Sequence, residues 1–126
     1  FRGVNFIDCQ VLDVNFSMCD RLIFEIHFKD CILDFCKFYD LTMKGTTFSN
    51  CSMIALDFMN TDLTNVLFDH CNLHKTVFSN TTAIKADFTT SYNFSIDPEK
   101  NKIKKASFSL AGLKGLLQKH ELIIKE

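Results

Sequence analysis

Tryptophan is absent from this sequence, proline occurs once and glycine only four times. No apolar run approaches the roughly 18 residues that a membrane-spanning helix needs, and the residues from Phe1 to Val4 do not form a signal peptide. The chain has no glycine-rich phosphate loop, which argues against a nucleotide site. An initiator methionine is also missing, so we expect the N-terminus to have been processed or truncated. A formal net charge of −1 favours neither a nucleic-acid binder nor an acidic mimic of nucleic acid.

Phenylalanine, in contrast, has 14 copies, and large apolar residues recur at a fixed interval. Steps of five from Phe28 to Phe88 visit large apolar residues, with Ala83 as the exception. A second series lies two residues earlier, from Ile26 to Ala86, and is uncharged and mostly small. A period of five fits neither an α-helix, with about 3.6 residues per turn, nor a strand, with about two. It fits a chain that turns a corner every five residues, so that four sides close a coil of twenty.

Residues twenty apart should then stack in columns, and their side chains match. Three such columns are Phe28, Phe48, Phe68 and Phe88; Phe38, Phe58 and Phe78; and Cys31, Cys51 and Cys71. The N-terminal part also repeats at five, but it is two residues out of phase. A two-residue insertion between residues 20 and 25 brings Phe6, Phe16 and Cys9 into these three columns. We therefore interpret residues 19–25 as a bulge or small loop that interrupts one corner.

Individual blocks carry a known signature. Ala86-Asp87-Phe88, Thr61-Asp62-Leu63 and Val14-Asn15-Phe16 resemble the A-(D/N)-L-x-x motif of the pentapeptide-repeat family. The resemblance covers roughly residues 4–95, and its strength lies in the long series of blocks that stay in phase. It implies an all-β fold, a right-handed quadrilateral β-helix of about four to five coils, closed by a short C-terminal α-helix cap.

We predict that the solenoid occupies residues 1–95 and that residues 96–126 form a capping segment. Pro98 marks a turn after the last coil. Ser109 is a suitable N-cap for a helix over about 110–119, and a short strand is predicted over about 121–125. C-terminal caps of the resembled family often mediate two-fold dimers. The candidate cap and dimer residues are Phe108, Leu113, Leu117, Leu122 and Ile124.

The residues that could carry chemistry have simpler structural explanations. All six cysteines fall at the small inward position of their blocks. A straight row of thiols suits neither tetrahedral zinc nor disulfide torsion angles, so we interpret them as reduced packing residues. His70 and His74 fall on different sides of a corner, and no catalytic set accompanies them. The sequence thus predicts no enzyme activity, no metal and no cofactor.

The register also predicts which apolar residues face outward. Such residues occur on the side that carries Leu33, Met53 and Leu73, and on the next side around the corner. A contiguous exposed apolar patch usually marks an interface, unless the chain's own termini cover it. The candidate protein-interaction patch consists of Ile32, Phe35, Tyr39, Ile54, Met59 and Val77.

Two functions remain open for such a solenoid. One is a small scaffold that binds another protein, or a second copy of itself through the C-terminal cap. The other is a DNA-mimicking partner of topoisomerase (gyrase), of the quinolone-resistance type. A mimic needs carboxylates along one face, whereas those of this chain are scattered: Asp57, Asp62, Asp69 and Asp87. We therefore expect a bacterial, cytoplasmic, protein-binding scaffold that contacts neither nucleic acid nor membrane.

Overall fold

A computed structural model describes residues 3–18 and 26–125 of the chain. Its strands have three residues each, because the backbone turns a corner every five residues. They are β1 (Asn5–Ile7), β2 (His27–Lys29), β3 (Thr47–Ser49) and β4 (Leu67–Asp69). The strands form one parallel sheet in the order β1-β2-β3-β4. Three short 3-10 helices complete the described elements: η1 (Phe16–Met18), η2 (Ala111–Leu116) and η3 (Gln118–His120).

Each coil has four sides, which we name the Phe28, Leu33, Phe38 and Met43 sides after one inward residue of each. β1 to β4 belong to the Phe28 side, and single parallel residue pairs continue the ladder on the other sides. Above residue 26 the paired residues are twenty apart, whereas Asn5 pairs with His27 and Asn15 with Lys37. The predicted two-residue shift is therefore confirmed. The predicted bulge at residues 19–25 lies outside the described residues.

Stacked phenylalanine rings fill the axis of the solenoid. Phe48 lies parallel to Phe28 and Phe68, with ring centroids 5.2 and 5.3 Å apart. Rings of the Phe38 side meet this column edge-on, as Phe58 does with Phe48 at 5.9 Å. Both arrangements are favourable for aromatic pairs. The predicted all-β pentapeptide-repeat solenoid is thus confirmed, with one continuous core along its length.

A residue with positive φ turns each corner, and these angles lie between about 50° and 74°. Asparagine, aspartate and glycine dominate these positions because they tolerate the left-handed region. Phe35, Ala55 and Lys75 are exceptions that occupy one corner in successive coils. Their Cβ atoms are strained there, which costs roughly 1–2 kcal/mol per residue.

Ala55→Gly is expected to raise the free energy of unfolding by about 1 kcal/mol, against the usual cost of a glycine. The φ of Ala55 is 55°, and glycine relieves the crowding of its Cβ. Urea denaturation measures the effect. Ala86→Gly is the matched control, because Ala86 is buried on a side and has no positive φ. We expect the control to lose about 1–2 kcal/mol, and a similar loss in Ala55→Gly would contradict the strain.

The small inward residues do more than leave room for the rings, because many donate a hydrogen bond to the coil below. The acceptor is the backbone carbonyl of the residue 23 positions earlier, at 2.8 Å for the threonines and 3.3–3.5 Å for the cysteines. The donor and acceptor pairs are Cys51–Phe28, Thr61–Phe38, Cys71–Phe48, Thr76–Met53 and Thr81–Phe58. This requirement explains why threonine and cysteine recur in the second series of the repeat.

Thr46 departs from this pattern. Its hydroxyl is buried and has no hydrogen-bond partner among residues 3–18 and 26–125. Across the two-residue shift the offset becomes 25, as for Cys31 and Phe6, and the corresponding position below Thr46 lies outside the described residues. A buried hydroxyl without a partner costs free energy, so the repeat register makes Thr46 a weak point of the core.

Thr46→Val is therefore expected to raise the free energy of unfolding by about 1 kcal/mol. Valine has a similar shape, and Val66 occupies the next position of the same column. Thr61→Val is the control, because the Thr61 hydroxyl donates to the Phe38 carbonyl at 2.8 Å. The control should lose about 1–2 kcal/mol in the same urea titration. Equal losses in both variants would show that Thr46 does not carry an unsatisfied hydroxyl.

The solenoid extends beyond residue 95, where the sequence predicted its end. Thr82 pairs with Lys102 in parallel register, as does Asp87 with Ser107. The ring of Phe108 stacks on that of Phe88 with a centroid distance of 5.2 Å. The predicted boundary at residue 95 is therefore too early, since residues 93–98 depart from the repeat but the ladder resumes after them.

The cap differs from the predicted α-helix over about 110–119. The chain forms the shorter η2 and η3, which are separated at Leu117. Gly112 and Gly115 are poor helix formers, and Gly115 packs directly on Phe94. The Ser109 hydroxyl accepts the Gly112 N–H at 3.0 Å, as expected for the predicted N-cap.

The predicted strand over about 121–125 is wrong. Glu121 has a φ of 50° and turns the chain, and residues 122–125 pair with none of the described residues as a strand. The last ladder pair ends at Ser107, well before this segment. Within the described residues, no helix is long and apolar enough to cross a bilayer.

Candidate protein-interaction face

Three of the predicted patch residues meet at the corner between the Leu33 and Phe38 sides. Ile32 is the outward residue of the Leu33 side and is 40% exposed. Phe35 turns the corner and is 56% exposed. Its N–H donates to the Ile54 carbonyl of the next coil at 2.9 Å, and the Ile54 side chain is half-buried. We call Ile32, Phe35 and Ile54 the Phe35 group.

The other three predicted residues lie on the Phe38 side. Met59 and Val77 are exposed, whereas Tyr39 is half-buried. Tyr39 Oη accepts a hydrogen bond from Asn15 Nδ2 at 3.1 Å. Hydrogen bonds from Ser17 and then Asn15 lower the pKa of Tyr39. The phenol therefore contacts its own chain, and Met59 and Val77 form the exposed part of this second group.

Charged residues separate the two groups. Lys37 and Asp57 are paired in parallel register at the centre of the Phe38 side, and Val77 follows them in the same column. Lys37 Nζ lies 3.4 Å from a carboxylate oxygen of Asp13. The predicted single patch is thus two apolar groups on adjoining sides, because the outward column of the Phe38 side is charged at Lys37 and Asp57 and apolar only at Val77.

Phe35 has an unusual position for an aromatic residue. Its φ of 63° lies in the left-handed region, where asparagine or glycine costs less. The same corner carries Ala55 and Lys75 in the following coils, so the turn does not need an aromatic ring. The core does not need it either, since more than half of the side chain is exposed. An exposed aromatic residue at a strained position is a good candidate contact residue.

The polar groups next to Phe35 bind within the chain. Asp34 Oδ1 accepts the Ser52 hydroxyl at 2.6 Å and the Ile54 N–H at 2.9 Å. If a partner covered the Phe35 group, the Asp34 carboxylate would still have these two hydrogen bonds, so its burial would not leave an unpaired charge. The Phe35 group is therefore an apolar surface whose neighbouring carboxylate is already hydrogen-bonded within the chain.

The predicted cap and dimer residues are divided by the structure. Phe108 lies on Phe88 and Phe94, with centroid distances of 5.2 and 5.6 Å, so it belongs to the core stack. The other four are exposed at the C-terminal end: Leu113, Leu117, Leu122 and Ile124.

Two buried thiols and one histidine have identifiable local contacts in the described part of the chain. Burial raises the pKa of the Cys31 and Cys36 thiols, which keeps them protonated and weakly nucleophilic. His70 Nδ1 lies 2.6 Å from Asp69, and this contact, with a hydrogen bond from Ser49, lowers the pKa of that carboxyl. No group of three potential metal ligands occurs among residues 3–18 and 26–125.

The four acidic residues named from the sequence do not form a single row. Asp57 belongs to the Phe38 side and Asp62 to the Met43 side, whereas Asp69 lies in β4 and shares the Phe28 side with Asp87. A surface that imitates duplex DNA would need such charges along one face.

Two features of the surface were not predicted from the sequence. The first is a set of Asn-x-Ser/Thr triplets, the acceptor pattern for N-linked glycans, which a motif scan could have found. They begin at Asn15, Asn50, Asn80 and Asn93, and the last three asparagines are exposed. The second is a cleft of about 550 Å³ between the last coils and η2. No sequence pattern could have revealed the cleft, because it forms between two parts of the chain.

A family model described as the SV2A/B/C luminal domain matches residues 4–78, which is more than half of the chain. No match is found among curated proteins. The matched residues include the whole Phe35 group and the exposed Met59 and Val77.

Solved pentapeptide repeat structures are similar to this chain. Rfr23 from the cyanobacterium Cyanothece 51142 is 12% identical, with a TM-score of 0.45 and 86% of each chain covered. HetL from the cyanobacterium Nostoc, involved in heterocyst differentiation regulation, is 14% identical with a TM-score of 0.44. That match covers 74% of this chain and 40% of HetL, so this chain spans less than half of HetL. QnrB1, a plasmid-mediated fluoroquinolone resistance protein, is 12% identical with a TM-score of 0.36, covering 100% of this chain and 93% of QnrB1.

Proposed function

This chain belongs to the SV2A/B/C luminal domain family, and from that membership we propose that it is a non-enzymatic protein-binding module facing the lumen of a membrane compartment. The four-sided solenoid is the scaffold, and the Phe35 group is the contact surface. The partner is another protein or a second copy of this chain.

The single observation that carries this proposal is the exposure of Phe35. Phe35 is 56% exposed at a corner where φ is 63°, so folding gains little from an aromatic residue there. Aromatic side chains, phenylalanine included, are enriched at the buried centres of protein interfaces. Ile32 of the same coil is also exposed, and the half-buried Ile54 belongs to the next coil at this corner.

The sequence alone led us to expect a cytoplasmic protein, and we now propose a luminal location instead. The family description supports it, and so do the exposed glycan acceptor triplets at Asn50, Asn80 and Asn93. The four fully buried thiols are compatible with an oxidising lumen, because each donates to a carbonyl group of a neighbouring coil: Cys31, Cys36, Cys51 and Cys71.

The binding proposal is tested with a photo-crosslinking amino acid at position 35 of the luminally expressed protein. We expect a discrete crosslinked species, identified by mass spectrometry. Position 85 is the control, because Lys85 is also exposed at a corner, with a φ of 59°, but lies at a different corner and does not line the cleft. In a binding assay with the identified partner, Phe35→Asp should weaken association by roughly tenfold or more, since a charge replaces a buried contact.

Self-association is examined in parallel by light scattering of the purified protein over a range of concentrations. If position 35 crosslinks no more than position 85, and Phe35→Asp and Ile54→Lys leave every association unchanged, the Phe35 group is not a contact surface. That result would not affect the proposed location.

The luminal location is tested in a separate experiment, on intact vesicles prepared from cells that naturally make the protein. Treatment with an N-glycosidase should reduce the apparent mass of the protein, and protease added outside intact vesicles should leave it uncut. Asn80→Gln should remove one glycan, because Asn80 is an exposed acceptor. Digestion of the unpermeabilised sample, with no mass change after glycosidase, would place the protein in the cytoplasm.

A topoisomerase partner is not part of this proposal. The acidic side chains of Asp57 and Asp62 belong to two different sides, and only Asp69 and Asp87 share a third, so no observation favours a DNA mimic.

A further inference from the structure

The cleft of about 550 Å³ lies where η2 crosses the open end of the solenoid. Lys75, Tyr92 and Asn93 line it from the coils, and Lys114 and Gln118 line it from the cap. The Ile96 N–H donates to the Gly115 carbonyl at 2.9 Å, which ties the two walls together. Its volume lies within the roughly 300–1,000 Å³ of pockets that hold small molecules.

The lining of the cleft is positively charged, although the chain as a whole has a net charge of −1. Lys75 and Lys114 are present with His74, and no carboxylate is among the lining residues. Within the described ranges, neither lysine has an ion-pair partner. The nearby acids Asp97 and Glu99 lie 3.2 and 3.0 Å from Lys119 instead. The cleft therefore combines two unpaired ammonium groups, which favours an anion.

The rest of the lining suits a hydroxylated ring. Tyr92 is half exposed and offers an aromatic face with a polar tip. Asn93, Gln118 and the hydroxyl-bearing Ser95 and Ser109 supply donors and acceptors around it. An inorganic anion would use the lysines only, whereas a sugar acid would use both halves of the lining.

From this arrangement we propose that the cleft binds a carboxylate-bearing sugar, such as a uronic acid. Lys75 and Lys114 bind the carboxylate, and Tyr92 packs against the sugar ring. The site lies mostly outside the residues 4–78 that the family model matches, so it belongs to this chain's own C-terminal part. It is separate from the Phe35 group and does not rest on protein binding.

The experiment is a titration of the isotope-labelled, unglycosylated chain with sodium glucuronate, followed by amide chemical shifts. We expect saturable shifts at Asn93, Ser95 and Gln118. Glucose tests the ring without the charge, and acetate tests the charge without the ring; both should bind at least tenfold more weakly. Methyl β-glucuronide distinguishes the free acid from a glycan-linked residue, since it blocks the anomeric position. Binding of glucuronate but not of its methyl glycoside assigns the site to the free acid, and binding of both assigns it to glycans as well.

Lys75→Gln and Lys114→Gln should each weaken glucuronate binding by roughly tenfold, because each removes a charge-assisted contact. Lys85→Gln is the matched control, because Lys85 also turns a corner, with a φ of 59°, but does not line the cleft. It should bind as the unaltered chain does. Equal weakening in all three variants, or equal binding of acetate and glucuronate, would overturn the sugar-acid site.

Discussion

Phe48→Ala is expected to lower the free energy of unfolding by about 4 kcal/mol, the largest loss that we expect from a single substitution. Phe48 is fully buried at the centre of the ring stack. Its ring lies between those of Phe28 and Phe68, at 5.2 and 5.3 Å, and meets Phe38 and Phe58 edge-on. Truncation removes the ring and leaves a cavity, because the parallel ladders on all four sides hold the coils at fixed spacing.

The measurement is a urea titration, with Phe35→Ala and Phe108→Ala as controls. Phe35 is mostly exposed, so its truncation should change stability by no more than about 0.5 kcal/mol. Phe108 lies at the open end of the same column and is half-buried, so its loss should be intermediate. If Phe48→Ala costs less than Phe108→Ala, the coils can collapse around a cavity and the stack is not rigid.

Gly115→Ala is expected to detach the cap from the last coil. A Cβ at this position would lie 2.6 Å from the Phe94 carbonyl oxygen and 2.7 Å from two atoms of its ring. Backbone atoms cannot yield as a flexible side chain does, so η2 must move and the hydrogen bond from Ile96 N–H to the Gly115 carbonyl breaks. Overpacking of this kind costs roughly 1–3 kcal/mol. Alanine's higher helix propensity offsets about 1 kcal/mol of that at most.

Hydrogen exchange at the Ile96 amide reports the detachment directly, and it should accelerate by roughly ten- to a hundredfold in Gly115→Ala. Gly112→Ala is the closest control, because its Cβ would meet the tip of the Phe94 ring at 3.0 Å, which can shift. Gly45→Ala tests the cost of positive φ without any steric clash, because Gly45 has a φ of 74° and an added Cβ would contact nothing within 4 Å. Unchanged protection of Ile96 in Gly115→Ala would mean that the cap does not depend on this contact.

The solenoid was predictable because its cause is local and repeated. A spacing of twenty places Phe28, Phe48 and Phe68 in one column without any knowledge of distant contacts, and the structure confirms that column. The two-residue shift after the first coil could also be predicted, because a single insertion brought three columns into register at once. The length of the ladder was underestimated, since Asn93 and Pro98 break the pattern although Phe108 restores it.

The cap was less predictable because its conformation depends on tertiary contacts. The apolar spacing of Leu110, Leu113 and Leu117 is typical of an α-helix, yet the close contact of Gly115 with Phe94 favours shorter 3-10 turns. The candidate interaction face was less predictable than the solenoid but more predictable than the cap. The register correctly placed Phe35 at the surface, but it could not show that Tyr39 hydrogen-bonds to Asn15 or that the cleft exists.

The corner register has a geometric consequence for the whole surface. Phe35 and the cleft residue Lys75 turn the same corner two full coils apart, so they point in one direction about 10 Å from each other along the axis. Loss or gain of twenty residues between them would change this distance by one layer of about 4.8 Å and preserve the common direction. A change of five residues would rotate one of them by a quarter turn relative to the other. In this fold the number of whole coils therefore sets the distance between two surface residues, and the number of five-residue blocks sets their relative orientation.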